Sequence, residues 1–338
     1  LAFLEINRSN GVYPSSPHLV VMAARGRDSF SPAQFRALES VARVTAHAVP
    51  NRLTHEAMRT LCAPAEIIGF TRRATLDFNA RLIDELPGLR AVAVYATGYD
   101  WLDTQALERR DIELVLLPDY STQSVAEHSL SLMLSMSRRL HLSDRVARGD
   151  LPYGTSLRGF ELSGKTLGII GFGRIGRAVA RMARAFDMQI LANDIVPQPV
   201  ESDVEMVEQG RLLAESDVVL LACNLIRGSG PIIDQAALAH MKPGALLVNP
   251  SRSALVDNSA VMQAVIERHL RGYAVDDTVF DAEQLSRVEH GRILQSAHTA
   301  WYSDEAMARG TQAWVDALVR LAQDSRGIRT GTGKVSST

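Results

Sequence analysis

The segment Gly171-Phe172-Gly173-Arg174-Ile175-Gly176 constrains the fold of this chain more than any other feature. It follows an apolar run at 166–170 with the pattern of a buried strand, and it precedes an amphipathic run at 177–186 with the pattern of a helix. That order has a physical reason. The first glycine permits a tight turn, the second lets the backbone approach a pyrophosphate, and the third lets the helix pack close to the strand. The helix N-terminus then offers amide donors and positive potential to phosphate oxygens, and Arg174 and Ile175 within the turn are expected beside the cofactor. Asp194 lies 18 positions beyond Gly176, at the end of the next apolar run. A carboxylate there accepts hydrogen bonds from the adenosine ribose and repels a 2′-phosphate, so the pattern reads as a site for NAD rather than NADP.

The rest of the chain alternates strands and helices in the same way. Strands are predicted at 18–23, 43–46, 66–70, 89–95 and 112–117. Ser31-Pro32 opens one intervening helix, and Thr54 caps another at 54–61. A second set at 166–170, 189–192, 218–222, 245–248, 273–275 and 293–295 makes six strands, the number in a sheet of two mononucleotide halves. Residues 124–148 interrupt the rhythm as one long helical stretch, apolar at Val125, Leu130, Leu132, Met133, Leu134, Met136 and Leu140, and suited to connecting domains. A last helix at 303–323 follows the sixth strand and is expected to return to the first domain. The fold class is therefore α/β, with two Rossmann-like domains. A flavodoxin-like domain, 1–122 and 300–338, is split around a nucleotide-binding domain of six to seven strands at 123–299.

Length and composition agree. A chain of 338 residues is comfortable for two domains. The net charge of −2 gives no general attraction to nucleic acid or an anionic membrane. Cys62 and Cys223 are too few for a disulfide framework or a zinc site, so no metal is expected and a cytoplasmic location is the default. No window approaches ~18 apolar residues, the length of a membrane span. The first residues lack the pattern of a signal peptide, and the polar tail at 325–338 is expected to fray.

Five segments, over roughly residues 65–310, resemble the D-isomer-specific 2-hydroxyacid dehydrogenases. Ala96-Thr-Gly-Tyr-Asp-Trp-Leu-Asp103 resembles the loop that holds the substrate carboxylate, and Ser124-Val-Ala-Glu-His128 the start of the connector helix. The glycine turn follows. Val248-Asn-Pro-Ser-Arg-Ser-Ala-Leu-Val-Asp257 resembles the stretch carrying the family's arginine, and Ala297-His-Thr-Ala-Trp-Tyr-Ser303 the motif of its histidine. The resemblance implies a catalytic trio of Arg252, Asp281 and His298, with Glu283 as the other candidate acid. It implies that Asp276 holds the nicotinamide amide. Ser124, Asn224, Ser229, Ser251, Arg252 and His298 would also line the cofactor, and Ala96, Thr97, Gly98, Arg252 and His298 the substrate. It further implies a homodimer, with 124–148 forming much of the contact.

The residue types suit the chemistry independently of the family. Reducing a 2-oxo acid needs a proton at the carbonyl oxygen, and histidine, with an unperturbed pKa of ~6.5, is the usual donor. A permanently charged arginine holds the substrate carboxylate and polarises the carbonyl. Several positions depart from the family pattern. Asn224 stands in place of a proline and Ser253 in place of a glycine, and Glu-Pro is absent after the acid. Ala300-Trp-Tyr-Ser303 resembles the C-terminal-binding-protein corepressors and their bacterial relatives, which gives Trp301 two readings: wall of the substrate pocket, or anchor of the last helix. Arg73 lies where phosphoglycerate-type relatives carry an arginine, and suggests a second anionic group on the substrate. Two functions follow: an NAD-linked reductase of a 2-oxo acid to its (R)-2-hydroxy acid, or an NAD-sensing, corepressor-like binding protein.

Overall fold

The computed structural model describes residues 16–75, 77–196 and 202–324. The first residues and the tail from 325, for which expectations are given above, lie outside that set. The described chain divides into two compact units, one of residues up to Pro118 together with those from Ala308, the other Asp119–Met307.

The first unit holds a five-stranded parallel sheet: β1 (His18–Ala23), β2 (Arg43–Ala48), β3 (Ile67–Thr71), β4 (Ala91–Tyr95) and β5 (Glu113–Val115), in the order β2-β1-β3-β4-β5. This is the flavodoxin order, and its direction reverses between β1 and β3. The apolar side chains of β1 and β4 are buried along their whole length, as strands covered on both faces require. Ser31 caps the helix Pro32–Val41 through a reciprocal box with Gln34, and Thr54 caps His55–Cys62. The helix Asp304–Asp324 packs on this sheet from Ala308 onward. Its Trp314 is buried, donates to the Ala93 carbonyl at 3.0 Å, and stacks on Phe30.

The second unit holds a seven-stranded parallel sheet: β6 (Thr166–Ile170), β7 (Gln189–Asn193), β8 (Val204–Met206), β9 (Val218–Leu221), β10 (Ala245–Asn249), β11 (Leu270–Val275) and β12 (Ile293–Gln295). Their order is β12-β11-β10-β9-β6-β7-β8. The sheet thus reverses between β6 and β9, the place where open α/β sheets form a crevice beyond the carboxyl ends of their strands. β8, only three residues long, is the edge strand that the six-strand pattern lacks.

The stretch 124–148 is not one helix. Thr122–Arg138 and Leu140–Ala147 are separated by Arg139, whose φ of +55° is left-handed. That conformation costs a non-glycine residue about 1–2 kcal/mol. It is held from several directions. Arg139 donates its backbone N–H to Ser135 and its guanidinium to Ser156 and Glu289, while the half-buried His141 ring, which burial keeps toward its neutral form, has one N–H to donate, to the carbonyl of Ser135 at 3.0 Å or of Gly291 at 3.3 Å. Apolar spacing continues through Leu140 and Leu142, so periodicity conceals the break. No described helix is long and apolar enough to cross a membrane.

Candidate active site

The glycine turn lies at the carboxyl end of β6, in the crevice of the second sheet. Gly171 has φ of +93°, and a Cβ there would lie 2.6 Å from the Ala222 carbonyl at the end of β9. A Cβ at Gly176 would strike the Gly171 carbonyl oxygen. Gly173 caps the helix Arg174–Ala183 and faces open space. Two glycines are therefore needed for packing and the third leaves room, the arrangement a pyrophosphate requires at a helix N-terminus. Arg174 also pairs with Asp119, Nε to Oδ1 at 2.6 Å.

Asp194 follows β7 and bends over this turn. Its Oδ2 accepts the Phe172 amide at 2.6 Å and its Oδ1 the Val196 amide at 3.0 Å. The carboxylate is thus fixed beside the phosphate turn, where a 2′-phosphate would meet a negative charge. The neighbouring Ile195 and Val196 are exposed. Asn224 and Ser229 lie on the exposed loop after β9, where Ser229 closes its own turn onto the Ile226 carbonyl. Cys223 precedes that loop; burial pushes its thiol up to about 11, so it stays neutral and is no nucleophile at pH 7.

Arg252 follows β10. Asn249, the last residue of that strand, is buried and organises the loop. It donates to the Arg252 carbonyl at 2.7 Å and accepts the Ser251 amide at 3.1 Å, while the Ser251 hydroxyl donates to Leu221 of β9. The Arg252 guanidinium donates to the Ser251 carbonyl at 3.1 Å. Ser253, the residue in place of the family's glycine, donates to Asp277 at 2.7 Å, and so ties the arginine loop to the end of β11.

His298 follows β12, with a left-handed φ of +57°. A left-handed residue makes the next amides converge, and those of Thr299 and Ala300 both meet the carboxylate of Asp276, at 2.8 and 2.7 Å. Asp276 is 2% exposed and accepts the Ser296 hydroxyl as well. Three donors of the histidine turn thus meet this carboxylate, and His128 Nε2 lies 3.7 Å from its Oδ1. Trp301 donates its indole N–H to the His298 carbonyl at 3.1 Å, and its ring lies edge-on to Tyr120 and Tyr302. Ser124 and Ser303 share a hydrogen bond of 2.7 Å.

Asp281 caps the short helix Ala282–Ser286, accepting the Gln284 amide at 2.8 Å, and Glu283 lies exposed in its first turn. The loop leading to Asp281 is clamped by Gln295 of β12, which accepts the amides of Val279 and Phe280 and donates to the Phe280 carbonyl. The loops of Arg252, Asp281 and His298 thus share one scaffold at the carboxyl ends of β10, β11 and β12. Asn249 and Gln295, which build that scaffold, went unassigned in the sequence. A polar residue closing an otherwise apolar strand is the signal that marks both.

In the first unit, the loop after β4 carries Ala96, Thr97 and Gly98. The Thr97 hydroxyl donates to the Leu117 carbonyl and the Trp101 indole to the Gly98 carbonyl. Among the described residues the amides of Thr97 and Gly98 donate to no other group. Arg73 is exposed after β3, at the reversal point of this sheet. No group of acidic, histidine or cysteine side chains suited to a metal ion occurs among the described residues.

The family described as "D-isomer specific 2-hydroxyacid dehydrogenase, NAD binding domain" matches residues 130–300. A D-lactate dehydrogenase of Curvularia clavata is 32% identical over 278 residues, covering 76% of this chain and 78% of that protein. An (S)-sulfolactate dehydrogenase of Chromohalobacter salexigens is 35% identical over 279 residues, covering 79% and 89%. The crystal structure of a glyoxylate reductase from Paecilomyes thermophila superposes with a TM-score of 0.82 at 25% identity, covering 92% of this chain and 97% of that one. The chain belongs to the D-isomer specific 2-hydroxyacid dehydrogenases and is an NAD-dependent oxidoreductase of that family.

Proposed function

We propose that this enzyme reduces a 2-oxo acid bearing a second anionic group to the corresponding D-2-hydroxy acid, with His298 as proton donor and Arg252 as carboxylate and carbonyl clamp. The observation that carries the assignment of roles is the shared scaffold at the ends of β10, β11 and β12, in which Asn249 fixes the Arg252 loop, Gln295 the loop leading to Asp281 and Asp276 the His298 turn. Bound NADH supplies the hydride that reaches the carbonyl carbon. The residues of the chain do the rest. His298 holds the proton that the carbonyl oxygen takes up. Arg252 binds the carboxylate and draws charge onto that oxygen as it develops. The amides of Thr97 and Gly98 offer the carboxylate two further donors. Asp281 is the acid that would orient His298, with Glu283 as the other candidate. Ser124, Asn224, Ser229 and Ser251 would complete the cofactor site, and Trp301 would flank the substrate.

Two observations support the second anionic group. Arg73 stands at the reversal point of the first sheet, where ligands of such sheets bind. The sulfolactate dehydrogenase relative acts on a substrate whose name specifies a sulfonate besides the carboxylate. Its (S) label follows from the priority of sulfur, and corresponds in space to the D series. The test is NADH oxidation with pyruvate, glyoxylate, hydroxypyruvate and 3-sulfopyruvate. Arg73→Ala is expected to lower kcat/KM for the dianionic acid by about tenfold, mainly through KM, and to leave pyruvate unaffected. Equal kcat/KM for Arg73→Ala and the parent on every acid would remove the second anion from the proposal, and absence of turnover with all four would count against the reductase.

We also propose a homodimer built on the helix Thr122–Arg138 and the segment after it, where Leu140 and Tyr153 are exposed at 62% and 97%. Replacing both with Ser is expected to shift the chain toward a monomer in light scattering. A parent protein that is already monomeric at micromolar concentration would sink the idea.

A further inference from the structure

His128 belongs to the Ser124–His128 motif, yet the reaction outlined above gives it no task. It lies on the helix Thr122–Arg138, and its Nε2 is 3.1 Å from the Ser296 hydroxyl and 3.7 Å from Asp276 Oδ1. The Ser296 hydroxyl carries a single proton. Its shorter contact is with Asp276, at 2.7 Å, against 3.5 Å to the Val275 carbonyl, so it donates to the carboxylate. Its lone pairs then accept from His128, which must carry hydrogen on Nε2.

The direction of these bonds defines a chain of influence: His128 to Ser296, Ser296 to Asp276, and Asp276 to the amides of Thr299 and Ala300. Those amides converge only because His298 is left-handed, a conformation that a histidine adopts at a cost and keeps when its surroundings over-determine it. A buried carboxylate is a good clamp for two amides if its own position is fixed, and the hydroxyl held by His128 provides that.

We propose that His128 is a positioning residue for turnover, holding the Asp276 carboxylate, through Ser296, in the place that fixes the His298 turn. This rests on the reading of His298 as the proton donor. His128 itself touches neither substrate nor cofactor in this scheme.

The test uses the full chain with NADH and the best 2-oxo acid of the panel above. His128→Ala is expected to lower kcat by about tenfold, the scale on which small misplacements of a reacting group act, with the dissociation constant for NADH and the melting temperature near the parent values. His128→Gln places an amide N–H close to the former Nε2 and is expected to restore most of kcat. Ser296→Ala removes the relay with little change in volume and is expected to match His128→Ala, with the double variant no worse than either single one. Parent-like kcat in His128→Ala overturns the proposal. So does a Gln variant as slow as the Ala variant. Should His128→Ala fail to fold, Ser296→Ala decides: a drop in kcat with parent NADH affinity supports the chain of influence, and an unchanged kcat overturns it. His298→Asn separates the two levels. If that variant keeps turnover, the assignment of the proton donor fails; if it is inactive while His128→Ala is at the parent level, only the positioning role fails.

Discussion

His298→Asn is expected to lower kcat/KM for 2-oxo acid reduction by about 10²–10⁴, the range that general acid–base catalysis contributes. Asparagine keeps a donor near the place of the ring Nδ1 and tolerates the left-handed region better than most residues, so the turn that Asp276 clamps should survive. What it cannot do is give up a proton and take one back. Binding of NADH and the melting temperature should therefore stay near the parent values while turnover falls. The pH profile supplies a second readout. Reduction needs the imidazolium and oxidation the neutral ring, so the parent's two directions should bend oppositely with pH, and the variant's residual activity should lose both bends. A His298→Asn enzyme within tenfold of the parent would place the proton donor elsewhere.

Much of this site was legible in the sequence because its parts are punctuated by chemistry. The glycines of the turn answer to close packing at Gly171 and Gly176 and to open space at Gly173, so their spacing carries information that no side chain could replace. The strands were legible because a parallel sheet covered on both faces needs continuous apolar runs, which β1, β4 and β10 provide. The break at Arg139 was not, because a left-handed arginine held by side-chain contacts to Ser156 and Glu289 has no glycine or proline to announce it. β8 was too short for alternation to show. The sequence also left an enzyme and an NAD-sensing binding protein side by side. The similarity to D-lactate and sulfolactate dehydrogenases over most of the chain favours the enzyme.

Asp276 illustrates a different limit. Family resemblance implies that its carboxylate holds the nicotinamide amide, and the structure adds a hydroxyl and two amides of the histidine turn as donors to the same group. Spacing along a sequence says which strand end a carboxylate reaches. It does not say which donors arrive there from other loops. Ser253 makes the same point, since alone it looks like a loss of the family pattern, yet it forms a 2.7 Å hydrogen bond with Asp277.

That bond bears on the second large effect. Arg252→Ala is expected to lower kcat/KM by about 10³, the scale on which removing one preorganised donor to a developing oxyanion acts. The loss should appear in both parameters, since a guanidinium that holds the carboxylate in the ground state also stabilises charge on the carbonyl oxygen later. Arg252→Lys is the sharper test. It keeps the charge and loses the planar fork, so it should recover only a small part of the lost rate. The loop itself should not collapse in either variant. Asn249 holds the backbone carbonyl of residue 252, Ser251 is anchored to β9, and Ser253 is anchored to Asp277, none of which requires the arginine side chain. Melting temperature and NADH affinity should accordingly change little. If Arg252→Lys works as well as the parent, the residue acts as a point charge and the bidentate clamp is wrong. If Arg252→Ala is within tenfold of the parent, another cation holds the carboxylate.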